Sequence, residues 1–345
     1  MSSSCPLTRT EHTVQIPHAY CTYFDSGYLS RGLALINSLR SHGDDSPIWI
    51  MALDDDAKNY LENARLPGVH VLTVSDLENA VTELAPLKTE RSRMEYYFTT
   101  TPLLVRWVME QYADPTAVAY LDADLYFFAD PRLVFDAMGD GSIGIIEHRY
   151  PGRLERRLAK YGRFNVGWVG FRNDLPGRAC LDWWSARTLE WCRDTPEQGK
   201  YADQGYLNGF PGKFDGVRIL SAAGLDLAPW NTSRHEVTAA DDTVWADSEP
   251  LVFFHFHGLR RVRDWWISGQ LVYGAWMTRA IRERVYLPYV RELERCDAMV
   301  AASEFVQARP VASRGAGLRG FLFGAQKWAL NMLSMLTGNA IRASA

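Results

Sequence analysis

AVAYLDADLYFF, from Ala117 to Phe128, is an apolar run broken by two aspartates two positions apart, Asp122 and Asp124. A short apolar run of this kind reads as a buried central strand. Two carboxylates at its end do not belong in a core, because an unpaired buried charge is costly. They need water or a cation. A hard divalent metal with oxygen ligands meets that need, and such a metal neutralises phosphate oxygens. The plainer reading is an acidic loop after a strand.

Outward from this run, strand and helix patterns alternate from residue 18 to residue 128. HAYCTYF (His18–Phe24) reads as a first strand, broken at Asp25-Ser26-Gly27. Leu29, Leu33, Ile36 and Leu39 recur at helical spacing. Pro47–Leu53 and Val69–Val74 read as further strands, with Asp56 as a helix cap between them. A short helix is predicted from Asp76 to Leu84. A longer one runs from Arg93 to Gln111, with Pro102 starting or kinking it. The alternation predicts βαβ units on a largely parallel sheet, with ligands beyond the carboxyl ends of the strands. No G-x-G-x-x-G follows the first strand and no P-loop motif occurs.

Beyond the aspartates, Ser142–Ile146 and Phe164–Phe171 read as strands, Gly177–Cys192 as a Trp-rich helix and Tyr201–Gly209 as a short helix. Leu251–His255 is another buried strand, and residues 264–303 read as helical.

The bulk numbers bound the function. With 345 residues, 47% hydrophobic, the chain is long enough for a substantial core. Lys+Arg 37 against Asp+Glu 41 gives a net charge of −4, which does not support nucleic-acid binding. The five scattered cysteines include no C-x-x-C pair, so reduced thiols fit best. The polar N-terminus lacks an apolar signal segment and no run of 18 apolar residues occurs. A cytoplasmic protein is expected.

Three further motifs accompany Asp122-x-Asp124. Phe164-Asn165-Val166-Gly167 follows it, then Asp203-Gln204 ahead of Leu207-Asn208, then His255-Phe256-His257-Gly258 with Arg260, Arg261 and Arg263 beyond. In this order they resemble the nucleotide-sugar glycosyltransferases of the GT-A fold, most closely glycosyltransferase family 8 and related bacterial enzymes. The resemblance covers residues 18–267. It implies an α/β, Rossmann-like, mostly parallel sheet flanked by helices, with a helical C-terminal extension. It also implies a UDP-sugar donor, a glycan or lipid-linked acceptor and retention of anomeric configuration.

By this resemblance, Asp122, Asp124 and His255 hold Mn²⁺, or Mg²⁺, and the imidazole favours Mn²⁺. His257 matches a non-ligand position. Tyr23, Asp25 and Tyr28 match the segment that holds base and ribose, although Asp25 also reads as a helix cap. Asn165 and Gly167 lie near the transferred sugar. Asp203 binds its hydroxyls, and Gln204 sits by the anomeric carbon. Trp230 and Asn231 match the acceptor side. Gly258 belongs to the His-Phe-x-Gly motif. Arg261 stands where the family has a phosphate-binding lysine, but HFHGLRRVRDWW lacks the usual Lys-Pro-Trp. Which of Arg260, Arg261 and Arg263 makes that contact stays open. Arg93, with Lys88 and Arg91, can reach the diphosphate or order a loop over it. Gly205 replaces a residue that is often acidic in the family, which leaves the donor sugar open. His148 and Arg149 read as a surface turn, with acceptor contact as the other reading.

Two other classes compete. A sugar-nucleotidyltransferase would carry a Gly-rich basic loop after the first strand, where TYFDSGYLSRG stands instead. A non-catalytic sugar-nucleotide or glycan-binding protein would not need an intact metal set. Four segments are expected: a flexible tail at 1–15, a catalytic domain at 16–267, a helical extension at 268–310 and a basic amphipathic segment at 311–345. From Arg314 to Ala345 there is no acidic residue. That segment either lies on an anionic membrane surface, on the inner face of the cytoplasmic membrane, or packs on the domain.

Overall fold

The computed structural model describes residues 17–112, 116–306 and 329–343. The tail expected at 1–15 and residues 311–328 of the basic segment lie outside the described residues.

Strands β1 (His18–Phe24), β2 (Ile48–Ala52), β3 (Val69–Thr73) and β4 (Ala117–Leu121) pair in parallel, with β1 central to β2 and β4. A turn carrying both aspartates leads to β5 (Leu125–Phe127). With β6 (Ile143–Glu147), β7 (Phe164–Arg172) and β8 (Val217–Leu220), a seven-stranded sheet forms in the order β3-β2-β1-β4-β7-β6-β8. β7 is the antiparallel member, paired with β4 on one side and β6 on the other. A small antiparallel sheet follows, made of β9 (Val237–Ala240), β10 (Thr243–Ala246) and β11 (Glu249–Pro250).

Helices cover both faces. β4 is buried along its whole length and alternates between two cores. Ala117, Ala119 and Leu121 pack in the core of α1 (Leu29–Ser41), α2 (Asp55–Ala64), α6 (Arg132–Met138) and α10 (Leu287–Ala301). Val118 and Tyr120 pack in the core of α3 (Val74–Ala80), α5 (Arg93–Met109) and α8 (Leu175–Glu190). This is the period-two rule of a strand with helices on each side. The expected architecture, a mostly parallel sheet flanked by helices, is the one observed. Cys21, Cys180, Cys192 and Cys296 are buried free thiols.

Local chemistry explains the helix starts. Ser92 caps α5 in a reciprocal box with Glu95, and Pro102 sits inside that helix. α2 is capped by Asp54, whose side chain accepts from the Ala57 N–H, and not by Asp56, which lies in its first turn.

Two strands carry the late histidine into place. β12 (Phe253–His255) pairs antiparallel with β5, and His255 stands opposite Leu125. The Phe256 N–H donates to the Asp124 carbonyl at 2.9 Å. The helix expected over 264–303 begins late. Residues 260–267 form a hairpin instead, β13 (Arg260–Val262) against β14 (Trp265–Ile267), turning at Arg263 with φ +54. Aromatic and β-branched residues at 265–267 favour a strand over a helix. β15 (Ala340–Ile341) adds to β14, and Asn339 is buried against Ser268, so the described end of the chain packs on the domain.

Candidate active site

The carboxyl ends of β1 and β4 open into a cleft of about 920 Å³. Asp122, Asp124 and His255 meet in its wall. His255 Nε2 lies 3.2 Å from Asp124 Oδ1 and 3.6 Å from Asp122 Oδ2. The Asp122 N–H donates to the Gly167 carbonyl, and the Tyr120 hydroxyl donates to Asp122 Oδ1 at 2.9 Å.

Electrostatics make this cluster hungry for positive charge. Burial raises the Asp122 carboxyl to about 6, against the pull of His255 and with the push of Asp124. Burial also acts on Asp124, but the imidazole charge and hydrogen bond of His255 outweigh it and hold Asp124 at about 2. Burial works against charge on His255, and Asp124 and Asp226 more than offset it. Two carboxylates and an imidazole in such contact suit a divalent transition ion. His257 joins them: one ligand atom each of Asp124, His255 and His257 lies within 4.8 Å of the others. The expectation treated His257 as a non-ligand; it stands in the turn just after β12, which brings it back beside His255.

Gly167 makes the arrangement fit. A Cβ there would sit 2.5 Å from Asn165 Oδ1 and 2.7 Å from His255 Nδ1. Behind His255 stands Asp226, fully buried, with Oδ1 3.4 Å from the imidazole Nδ1. Sequence reading did not single it out.

At one end of the cleft are Tyr23, Asp25, Tyr28 and Arg93. Arg93 reaches Asp25 Oδ2 at 3.2 Å, and Asp25 also caps the turn Ser26–Tyr28. Of the other expected cations, Lys88 pairs with Glu78, and Arg91 is buried against the carbonyls of Thr188 and Leu189. Arg31, not expected, donates to the Leu259 carbonyl, stacks on Tyr28 and pulls the Asp124 carboxyl down.

Asp203, Gln204, Asn165 and Trp230 line the same cleft, and the Tyr23 hydroxyl lies 3.2 Å from Thr101 Oγ1. Ala202 adopts φ +47, and Trp184 Nε1 donates to the Asp203 carbonyl at 2.9 Å. Burial raises the Asp203 carboxyl to about 7, with Thr101 opposing and Asp122 adding. Gln204 is held between the Tyr161 carbonyl and the Asn165 amide, 2.7 and 3.3 Å away. His148 is no surface residue: it is buried, lines the cleft and is kept neutral by burial, at about 4. Arg149, also buried, binds the carbonyls of Ala222, Leu225 and Asp226.

Four expected residues stand outside the cleft lining: Gly167, packed against Asn165 and His255, and also Asn231, Gly258 and Arg261. Asn231 is fully buried and ties the Ala228 N–H to the carbonyls of His148 and Asp226. Gly258 holds a left-handed turn at φ +74. Arg261 pairs with Asp297 at 3.0 Å.

No protein-family model matches the chain. It is 35% identical over 254 residues to the uncharacterized protein YfnF of Bacillus subtilis (strain 168), spanning 71% of this chain and 82% of that one. It is 30% identical over 285 residues to YfnD of the same organism, also uncharacterized, spanning 80% and 88%. Among solved structures it is similar to galactosyltransferase LgtC in complex with donor and acceptor sugar analogs (TM-score 0.48, 17% identity, 84% of this chain and 97% of that one). It is also similar to mouse xyloside xylosyltransferase 1 (TM-score 0.40, 14% identity, 61% and 87%).

Proposed function

The chain belongs to the family of the two Bacillus subtilis proteins YfnF and YfnD, and from its own cleft we propose that it is a metal-dependent glycosyltransferase. It moves a sugar from a nucleotide diphosphate donor, UDP-sugar favoured, to a glycan or lipid-linked acceptor. One observation carries the reading. Asp122, Asp124 and His255 converge in the wall of a cleft that Tyr23, Asp25, Tyr28, Arg93, Asp203 and Gln204 also line.

In this reading Asp122, Asp124 and His255 hold Mn²⁺, with Mg²⁺ as the weaker fit. The cation would neutralise charge that grows on the departing diphosphate. Arg31 and Arg93 supply fixed charge on the same side; Arg261, turned to Asp297, is set aside for that role. Tyr23, Asp25 and Tyr28 hold base and ribose. Asp203 accepts from hydroxyls of the transferred sugar, and Gln204 lies by its anomeric carbon. Transfer proceeds with retention, by front-face displacement. The acceptor oxygen bonds to the anomeric carbon, the carbon–phosphate oxygen bond breaks, and the acceptor proton passes to the leaving phosphate.

Catalytic residues within 16–267, a helical extension at 268–310 and a peripheral membrane contact through 314–345 complete the reading. The exposed Met332, Leu333, Met335 and Leu336 on the helical turn 329–336 support the membrane contact. Among the described residues no helix is long and apolar enough to cross a membrane.

Incubation with UDP-hexoses and Mn²⁺, against an EDTA control, tests the proposal. UDP release with Mn²⁺ and not with EDTA is the expected result. No nucleotide diphosphate bound or released in the presence of metal overturns it. Binding without release under every condition favours a non-catalytic sugar-nucleotide-binding protein.

A further inference from the structure

We propose that the end of the cleft beyond Gln204 binds an acceptor sugar carrying an anionic group, phosphate or carboxylate, with Arg157 as its counter-charge. The inference rests on the transferase reading and adds the class of acceptor.

A continuous wall of rings leads from the metal ligands to this residue. His255 meets Trp230 edge to face at 5.0 Å between centroids, and Trp230 meets Tyr273 at 6.0 Å. The Arg157 guanidinium carbon lies 4.8 Å over Tyr273 and 6.0 Å from the centre of Tyr161. Tyr161 in turn meets Tyr201 at 5.0 Å. All of these side chains line the same cleft. Flat apolar faces with polar tips suit the faces and hydroxyls of pyranose rings.

Arg157 differs from the cations around it. Arg153 is tied to Ser233 and to the carbonyls of Tyr273 and Gly274, and Arg163 pairs with Glu147. Among the described residues, no hydrogen bond or ion pair holds Arg157; only ring faces do. It is half-buried, and its charge acts on Tyr150, Tyr273 and His257, so it looks into the cleft. Two carboxylates of the cleft lining, Asp194 and Asp203, act on Tyr201. The flanking stretch 152–163 carries Arg153, Arg156, Arg157, Lys160 and Arg163 against Glu155 alone. One ring, Tyr273, separates Arg157 from His257, and two, Tyr273 and Trp230, separate it from His255. A planar guanidinium on aromatic faces is suited to a carboxylate or phosphate on the incoming sugar.

The test uses methyl β-glucuronide, glucose 1-phosphate and neutral methyl β-glucoside, titrated calorimetrically into the whole chain with and without UDP and Mn²⁺. The anionic probes are expected to bind about tenfold tighter than the glucoside. Whichever of the two binds better separates a carboxylate sugar from a phosphate-linked one. Arg157→Met, which keeps the apolar stem over Tyr273, should shrink the advantage to about twofold or less, and Arg157→Lys should keep part of it. The proposal is overturned if no anionic probe binds, if the glucoside binds as tightly, or if the advantage survives in Arg157→Met. UDP titration in the same series reads the parent proposal separately. Its failure there sinks the transferase reading, while the titrations without UDP still report on the subsite.

Discussion

The His255 imidazole is clamped between two carboxylates, with Nδ1 3.4 Å from Asp226 Oδ1 and Nε2 3.2 Å from Asp124 Oδ1. Asp226 is fully buried, sits at φ +52, and neither of its carboxylate oxygens has a hydrogen-bond donor within normal range. A buried carboxylate and a strained backbone are both costly, and they persist where the surroundings impose them. Here Asp226 faces Nδ1 and Asp124 faces Nε2, so a cation bound at Nε2 would displace the proton on the Asp124 side and leave the one that faces Asp226. Such outer partners of a ligating histidine set its tautomer and orientation.

Asp226→Asn should therefore weaken Mn²⁺ binding by about 10- to 100-fold with all direct ligands intact. Calorimetric Mn²⁺ titration measures it. Unchanged Mn²⁺ affinity in a folded variant would remove the clamp from the account.

His257 separates from His255 in the same assay. His255 is buried between the carboxylates, whereas His257 is exposed at the cleft, so the first is held and the second can swing. His255→Ala and Asp124→Ala should each abolish metal-dependent turnover and cut Mn²⁺ affinity at least about 100-fold, beyond any outer-partner effect. His257→Ala should cost about tenfold and narrow the preference for Mn²⁺ over Mg²⁺, because an imidazole favours the softer ion. Equal losses in the two histidine variants would contradict this order.

Gly167→Ala tests the packing behind the site. The added Cβ meets Asn165 Oδ1 and His255 Nδ1 well inside contact distance, and neither is the far end of a flexible chain. The expected cost is about 1–3 kcal/mol of stability, with His255 displaced and Mn²⁺ affinity reduced. Gly209→Ala is the control, since its nearest foreign atom, on Trp183, is 4.0 Å away. Normal Mn²⁺ affinity in Gly167→Ala would show that the imidazole does not need that space.

How far the sequence shows this site depends on the range of the interaction. The strand at Ala117–Leu121 and the acidic turn after it are local patterns, readable from apolar spacing alone. His255 is legible through its motif, but its approach to Asp124 depends on pairing between β5 and β12, some 130 residues apart, which no local pattern encodes. Asp226 left no mark because a lone aspartate between leucines looks like a loop residue until the fold buries it. Arg261 shows the converse: a basic cluster reads alike in sequence whether it faces phosphate or pairs, as in this structure, with Asp297. The helical expectation fails at 264–267, the second half of the hairpin, because aromatic runs carry no clear period, and pairing with Arg260–Val262 and Ala340–Ile341 decides the matter.

Asp203 allows a pH test with a definite sign. Burial raises its carboxyl from 3.8 to about 7, so between those values the folded chain keeps a proton that the unfolded chain releases. Its stabilising contribution is complete below about pH 4 and is lost as pH rises through 7. Asp203→Asn keeps the shape, removes the charge and eases the repulsion on Asp122. In EDTA, its melting temperature should match the wild type at pH 4 and exceed it by about 2–5 °C at pH 8. The same variant should lose sugar transfer at pH 8, where the wild-type group is ionised, because an amide cannot replace a carboxylate as a double acceptor for hydroxyls. A melting difference that stays constant from pH 4 to pH 8 would mean that Asp203 is ionised throughout, and the buried, proton-holding carboxyl would have to be abandoned.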